Sequence, residues 1–577
     1  MRLRLDLNRI GLWLLGLMCL LPFLSAHHQL PIPSFYGELA AAVLGLAATS
    51  ALLAPSAWQP FQLPRIALLP LGLVALILLQ FLTGGIVHPQ QAQLGMLYLL
   101  WAMLLMVLAH HLRQQLGWER FVLVLSWSLL AGGVFSAMVV VSQLAGWQSP
   151  LLVPRRVAQV YGNLGQANHF ADYVALALGS LLYLDLKQRL PAALTVLLAT
   201  MFLIMLALSG SRSSWLYLLA FSMSSMWLSR REGRRHLMLL SMLLLPAFLL
   251  VQQVVPWMTS LAGSAAMQTP NERLFQEVAG TGVRLQLWQQ AWQMFIGSPW
   301  LGVGFGQFDW NSFVLIERMP ALTVEPAEHA HNLLLHLLAE MGVLGGLLVL
   351  LLGGLWLAGC LRGESTPERW WVLALLMVLG IHSLLEYPLW YTYFLGIAAM
   401  LLGAGDARPL SLELQRIGRW ALAAMLLLGS MGLISLTQSY AQLEHWMQRG
   451  LRGQVQDAQL PDITRDLMQV HQESLLSSYV ELVLAASLAP SVEQLDDKLL
   501  LNQAAMRFSP IRMVVYRHVL LLALKGDRVA ALVQLRRAMR AYPRDVPGFA
   551  KGLRLLVAKS PGHYEFLLNE VAEQAKE

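Results

Sequence analysis

The chain has 577 residues, 57% of them hydrophobic and 13% charged, with a mean hydropathy of +0.56. Soluble domains typically carry about 25% charged residues, so most of this chain meets lipid rather than water. Two cysteines, Cys19 and Cys360, exclude a disulfide framework and a cysteine-built metal site, and the net charge of +7 is scattered between apolar runs rather than gathered into a nucleic-acid patch.

Arg2, Arg4 and Arg9 precede an apolar run over 10–26. No small-residue cleavage site follows cleanly before His27, His28 and a Pro-rich stretch, so the run reads as an uncleaved first span. A spanning helix needs about 20 apolar residues. Further spans are expected to begin near Gly37, Ile66, Leu94, Phe121, His169, Leu190, Ser213, Leu237, Asn332, Trp370, Pro388 and Gly418. The total is about thirteen. Alternate loops hold Arg65, Arg113 and Arg120, Lys187 and Arg189, Arg230 to Arg235, Arg362 and Arg369, and Arg408 to Arg419. Positive residues stay cytoplasmic, which leaves the other loops outside. An odd number of crossings then puts the C-terminus in the periplasm.

Two outward segments are long. The first, 147–166, contains Arg155, Arg156 and the run Gly162, Asn163, Leu164, Gly165, Gln166. The second covers about 256–331, and its stretch 284–295 has the pattern of an amphipathic helix ahead of Gly297, Ser298, Pro299 and the turn region Gly302, Gly304, Gly306. Loops beyond about 15 residues are usually functional or folded in their own right. After Thr437 charged residues become common. Ala505, Met506, Arg507 and Phe508 before Pro510 resemble Ala538, Met539, Arg540 and Ala541 before Pro543, an offset of 33 residues. That is close to the tetratricopeptide period. The expected architecture is all-α: a polytopic membrane domain over 1–437 and an α-helical, repeat-like periplasmic domain over 438–577.

Polar residues near membrane depth are candidates for function. His331 and Asn332 stand nine residues before Gly342, Val343, Leu344 and Gly345, where the long loop meets the next span. A histidine there can take a proton from a hydroxyl; an interfacial histidine beside a helix-packing motif is the plainer role. His329, His331 and His336 lack carboxylate or cysteine partners at ligand spacing, and no metal is expected. Arg212, within Ser209, Gly210, Ser211, Arg212, Ser213, Ser214 and Trp215, needs an anionic partner, either a carboxylate such as Glu386 or a phosphate. Arg284 precedes Trp288 and Trp292, and is otherwise a solvated loop charge. Gln166, Asn168 and His169 open a span, where the amides suit sugar hydroxyls or phosphates and Asn168 alternatively caps the helix. Glu386 and Tyr387 lie between two spans, with Tyr391 and Tyr393 reading as an interfacial aromatic belt. No P-loop or Rossmann glycine pattern occurs, so no cofactor is expected and energy comes from an activated substrate or an ion gradient.

The pattern of His331, Asn332, Gly342 and Gly345 resembles the signature of the O-antigen ligase and O-antigen polymerase superfamily. The segment around Arg212 resembles its first arginine motif, and Arg284 with Trp288, Pro299, Leu301, Gly302, Val303 and Gly304 its second. His28, Pro31, Ile32, Pro33, Ser34, Phe35, Tyr36 and Glu38 resemble the N-terminal segment of PglL-type protein O-oligosaccharyltransferases, as does the helical tail. The resemblance covers essentially the whole chain. It implies a GT-C-like membrane fold and block transfer of an oligosaccharide from undecaprenyl pyrophosphate to Ser or Thr of a periplasmic protein such as a type IV pilin. It implies Arg212 and Arg284 on the departing diphosphate, His331 at the attacking hydroxyl, and Gln166 and Tyr387 as substrate-binding residues. Asn168 and Glu386 join them by position. Competing readings are a ligase acting on a lipid A–core sugar, a polymerase, and a non-enzymatic transporter of lipid-linked glycan.

Overall fold

The computed structural model describes residues 6–155, 157, 159–261, 278–319, 324–451 and 460–574. Arg2, Arg4, Arg156 and residues 262–277 of the long loop lie outside the described residues. Among those described, helices dominate, and one short antiparallel ribbon pairs β1 (Phe61–Leu63) with β2 (Leu410–Leu412), Phe61 opposite Leu412.

The chain divides into two compact units. The first comprises Met1–Val74, Leu97–Ala279 and Leu347–Ile434; the second comprises Ala75–Met96, Gly280–Gly346 and Ser435–Glu577.

The first unit is a bundle. Its helices are α1 (Leu7–Met18), α2 (Phe35–Ala48), the start of α3 (Leu68–Leu82), most of α4 (Pro89–Leu116), α5 (Trp118–Leu144), α6 (Ala167–Leu186), α7 (Ala192–Ser209), α8 (Ser213–Glu232) and α9 (Arg235–Leu261). The later part of α12 (Leu333–Arg362), α13 (Pro367–Ser383), α14 (Thr392–Gly405) and the start of α15 (Gln415–Leu451) complete it. A helix begins at or within about four residues of most of the thirteen expected starts; near Pro388 a short turn, Pro388–Trp390, comes first and the α-helix begins at Thr392. Among the described residues, nine apolar segments are long and apolar enough to cross a membrane: those of α1 to α5, α7, α9, α12 and α15.

Of the helices outside that set, α13 and α14 are too short, at 17 and 14 residues, whereas α6 and α8 are long enough and differ in their polar content. Every residue of α6 from His169 to Leu184 is buried, and α5, α7, α8 and α13 pack around it. A helix enclosed by protein meets no lipid, so it tolerates Asp172 and Ser180 where a lipid-facing helix would not. Its polar groups find partners on α13: Trp371 Nε1 donates to Ser180 Oγ at 3.2 Å, and Tyr183 OH donates to Glu368 Oε1 at 3.0 Å. On α8 the small serines serve close packing, and Ser224 Oγ accepts from Trp370 Nε1 at 3.1 Å. Hydropathy therefore reports contact with lipid, and is weakest where helices are most enclosed.

The second unit joins α10 (Val278–Gly297), α11 (Phe308–Arg318) and the first turns of α12 to a helical array. That array runs α16 (Leu460–Glu473), α17 (Ser477–Ser487), α18 (Leu495–Phe508), α19 (Arg512–Lys525), α20 (Arg528–Ala541), α21 (Val546–Lys559) and α22 (Pro561–Gln574). The similar sequences fall on equivalent helices: α18 and α20 each have 14 residues and begin 33 positions apart. Small buried residues at matching places, Ala505 and Ala538, let neighbouring helices approach. Gly526 (φ +84°) ends α19, and Asp527 caps α20 by accepting from Ala530 N at 3.0 Å. Phe313 and Ile316 of α11 are buried in the same core as Val515, Val519 and Leu535. Asp309 Oδ2 accepts from Ser509 Oγ at 3.0 Å, and Glu317 pairs with Arg537.

The α11 contact predicts a pH dependence. Burial, with Glu328 adding repulsion, pushes the Asp309 carboxyl up to about 7. A carboxyl whose folded value is raised keeps its proton longer than in the unfolded chain, so stability falls as pH rises from the unfolded carboxylate value through about 7. The slope is at most about 1 kcal/mol per pH unit after solvent screening. Melting temperature should drop between pH 5 and pH 8, and D309N, which cannot ionise, should flatten the drop; an unchanged profile in D309N contradicts the assignment.

Candidate functional site

Gln166, Asn168, Arg212, Glu386 and Tyr387 belong to the first unit; Arg284 and His331 belong to the second.

In the first unit, Gln166 is the residue before α6 and makes no side-chain cap. The preceding turn is held by Asn163, whose Nδ2 donates to Leu24 O at 2.9 Å and Leu151 O at 2.8 Å, while its Oδ1 accepts from Val153 N at 3.0 Å. Gly165 has φ +72°, and a side chain there would come within 3.3 Å of His28 Nδ1. The N-terminal segment thus lies against the turn that presents Gln166. Asn168 does not cap its helix. Its Nδ2 donates across the bundle to Glu386 Oε1 at 2.8 Å, tying the start of α6 to the turn before α14. Arg212 stands at the N-terminal edge of α8, after a left-handed Gly210 that ends α7.

The aromatic-belt expectation for Tyr391 and Tyr393 is corrected. Tyr393 is 5% exposed. Its ring stacks with Tyr391 at 5.5 Å, and Tyr391 stacks with Tyr387 at 6.1 Å. The short turn Pro388–Trp390 folds these rings into the protein, where Tyr391 meets the edge of His169 at 4.7 Å. Beneath them His382 Nδ1 lies 3.1 Å from Asp172 Oδ2, both side chains fully buried. The sequence reading passed over this pair, although ionisable residues inside apolar helices are the signal that finds it.

In the second unit, Asn332 stands just before α12, and its Oδ1 accepts from Leu335 N at 3.1 Å in the manner of a helix cap. His331 is therefore the residue immediately outside the helix, and its backbone is left-handed, φ +50°. Non-glycine residues occupy that region at a cost of about 1–3 kcal/mol when the surroundings enforce it.

The two glycine groups meet. Val303 N donates to Ala339 O at 2.9 Å, Gly304 N to Glu340 O at 3.1 Å, and Val343 N to Pro299 O at 2.8 Å. α12 breaks at Gly342, φ +65° and ψ −164°, which lets the 299–304 loop approach. Gln80 closes the arrangement: its Nε2 donates to Leu301 O at 2.6 Å and Glu340 O at 2.7 Å, and its Oε1 accepts from Phe305 N at 3.1 Å. α10, which carries Arg284, packs Ala291 and Met294 in one apolar cluster with Phe308, Ala330 and Ala339. Glu340 and Gln80 were missed in the sequence. A carboxylate within an apolar span was the available signal for the first; a lone Gln gives none.

Three family models match in chain order: protein glycosylation ligase over 160–184, O-antigen ligase over 193–350, and the C-terminal part of the virulence factor membrane-bound polymerase over 370–551. The segments that present Gln166, Arg212, Arg284, His331 and Tyr387 fall within them. Over these stretches the chain is similar to the O-antigen ligase superfamily. It is 29% identical over 411 residues to a general O-oligosaccharyltransferase of Acinetobacter baylyi, covering 69% of this chain and 70% of that one. It is also 25% identical over 241 residues to a ComP-specific O-oligosaccharyltransferase of the same organism, covering 42% and 43%. The chain reads as a multi-pass membrane glycosyltransferase of the O-oligosaccharyltransferase class, with a lipid-linked oligosaccharide donor and a protein acceptor.

Proposed function

We propose that this enzyme moves a preassembled glycan en bloc from undecaprenyl pyrophosphate to Ser or Thr of exported proteins such as a type IV pilin, at the periplasmic face of the inner membrane. The observation that carries the reading is His331 on left-handed backbone just outside a capped helix, within the stretch matched by the O-antigen ligase model. In the reaction the acceptor Oγ bonds to the anomeric carbon, the bond from that carbon to the phosphate oxygen breaks, and the diphosphate leaves. His331 takes or orients the hydroxyl proton. Arg212 and Arg284 neutralise charge growing on the diphosphate. Gln166, Asn168, Glu386 and Tyr387 hold the donor, since amide, carboxylate and phenol groups match sugar hydroxyls. Diphosphate is a good leaving group, so neither nucleotide nor metal is required. Residues 1–437 form the catalytic membrane domain, and 438–577 a periplasmic domain that receives the acceptor.

The O-antigen ligase match favours one rival acceptor, a lipid A–core sugar. Purified enzyme, lipid-linked glycan and pilin should suffice for transfer, with EDTA present and ATP absent. Glycosylated lipopolysaccharide without glycosylated pilin, in a host lacking its own ligase, would favour the rival. R212A should lower kcat by about 10²–10³-fold, as loss of a charge-stabilising donor does. R212K should recover only part of that, because an ammonium cannot make the two-pronged phosphate contact. Wild-type rates in R212A would remove Arg212 from the mechanism.

A further inference from the structure

His336 and Glu340 sit one helical turn apart on α12, both side chains almost fully buried. Their partners form a continuous chain within the second unit. Glu340 Oε2 accepts from Gly306 N at 3.0 Å, and Oε1 from Phe308 N at 3.0 Å. Oε2 also lies 3.3 Å from His336 Nε2. On the far side of the ring, His336 Nδ1 accepts from Ala330 N at 3.4 Å. The Phe308 ring lies over the imidazole, 5.1 Å between centroids and 29° from parallel.

These contacts determine the tautomer. Nδ1 faces an amide N–H and must accept; Nε2 faces a carboxylate and carries the ring proton. Ala330 is fully buried and directly precedes His331, whose φ of +50° needs an external hold to persist. The hold comes from both sides: Asn332 caps α12 after His331, and His336 grips the amide before it.

We infer that His336 and Glu340 are a positioning pair for His331. They transmit the place of the 302–306 glycine turn, which follows the Arg284 helix, to the backbone that aims the acceptor-side imidazole. A buried carboxylate inside an apolar helix is costly unless every oxygen is occupied. Here its oxygens hold two backbone amides and face one imidazole. Both side chains are occupied by protein partners, so the role assigned to them is positioning rather than catalysis.

The inference rests on the His331 reading, and the test keeps the two apart. Full-length enzyme in nanodiscs is assayed with lipid-linked oligosaccharide and pilin, giving kcat and the donor KM, alongside melting temperature. H336N keeps an acceptor near the Nδ1 position; H336L has similar bulk and none; E340Q leaves an amide N–H facing a backbone N–H. H336L and E340Q should lower kcat by about 10²-fold with donor KM near wild type, since small misplacement of a reacting group costs that much. H336N should recover most of the rate, and H336N and H336L should melt alike. Equal loss in H336N and H336L, or a rate loss that only tracks melting temperature, overturns the pairing role. Wild-type kcat in E340Q and H336L, with H331A inactive, also overturns it while leaving His331 in place. Full activity in H331A overturns the parent reading instead.

Discussion

Replacing His331 by Ala is expected to lower kcat for glycan transfer by about 10²–10⁴-fold, the range a positioned acid or base supplies. Expression should stay at wild type and melting temperature at or slightly below it. The reason lies in the backbone: residue 331 occupies left-handed space, where a side chain is tolerated only under enforcement. Ala removes the imidazole and leaves a conformation that the same surroundings must still enforce. H331G should be as inactive as H331A but more stable, because glycine pays nothing for positive φ. The check is a transfer assay with purified acceptor beside a melting curve. Activity in either variant above about a tenth of wild type would remove the proton-handling role, since general-base loss costs more than that.

The second large effect concerns Gly342. Its φ of +65° and ψ of −164° belong to a region open essentially to glycine alone. A side-chain carbon there would lie 2.3 Å from Trp300 O and 2.7 Å from Leu301 N. Those atoms are backbone and cannot swing aside. G342A must therefore either straighten α12 or push the 299–304 loop away, breaking the Val343 to Pro299 bond. The expected cost is about 3 kcal/mol or more from strain and contact together, with near-complete loss of transfer. G345A serves as the comparison. Its added carbon lies 2.6 Å from the Met341 Cβ and 3.7 Å from the nearest backbone atom, Leu337 O, and its φ is not positive, so the damage should be smaller. Equal behaviour of the two variants would mean that the kink is dispensable.

The signature spacing of His331, Asn332, Gly342 and Gly345 shows how far sequence reading reaches here. Spacing placed the histidine at a helix start and flagged the glycines. Close helix packing or an unobstructed helix start was the expected use of the glycines, and at Gly342 the structure shows a break that admits another loop. Asn168 read as a cap or a ligand; it does not cap, and its amide bonds to Glu386, 218 positions away, a second proposed donor-binding residue. Tyr393 read as a belt residue because aromatic residues at span ends usually face lipid. A tight turn sent it inward, and local composition does not encode that.

What the sequence by itself determined is the chain's solvent. Apolar runs of bilayer length give membrane helices, since an unpaired backbone group in lipid costs several kcal/mol. The rise in charge after Thr437 announces the helical array, and an offset of 33 residues aligns α18 with α20. These are local properties, carried by side chains acting on their own stretch of chain. Only the tertiary structure decided which helices are enclosed, as with α6. It alone paired Asp172 with His382 and joined Gln80, Glu340 and the 302–306 turn behind His331. Those contacts link residues 34 to 260 positions apart, and they form because buried polar groups must find partners wherever packing brings them. No window of sequence contains both halves of such a pair.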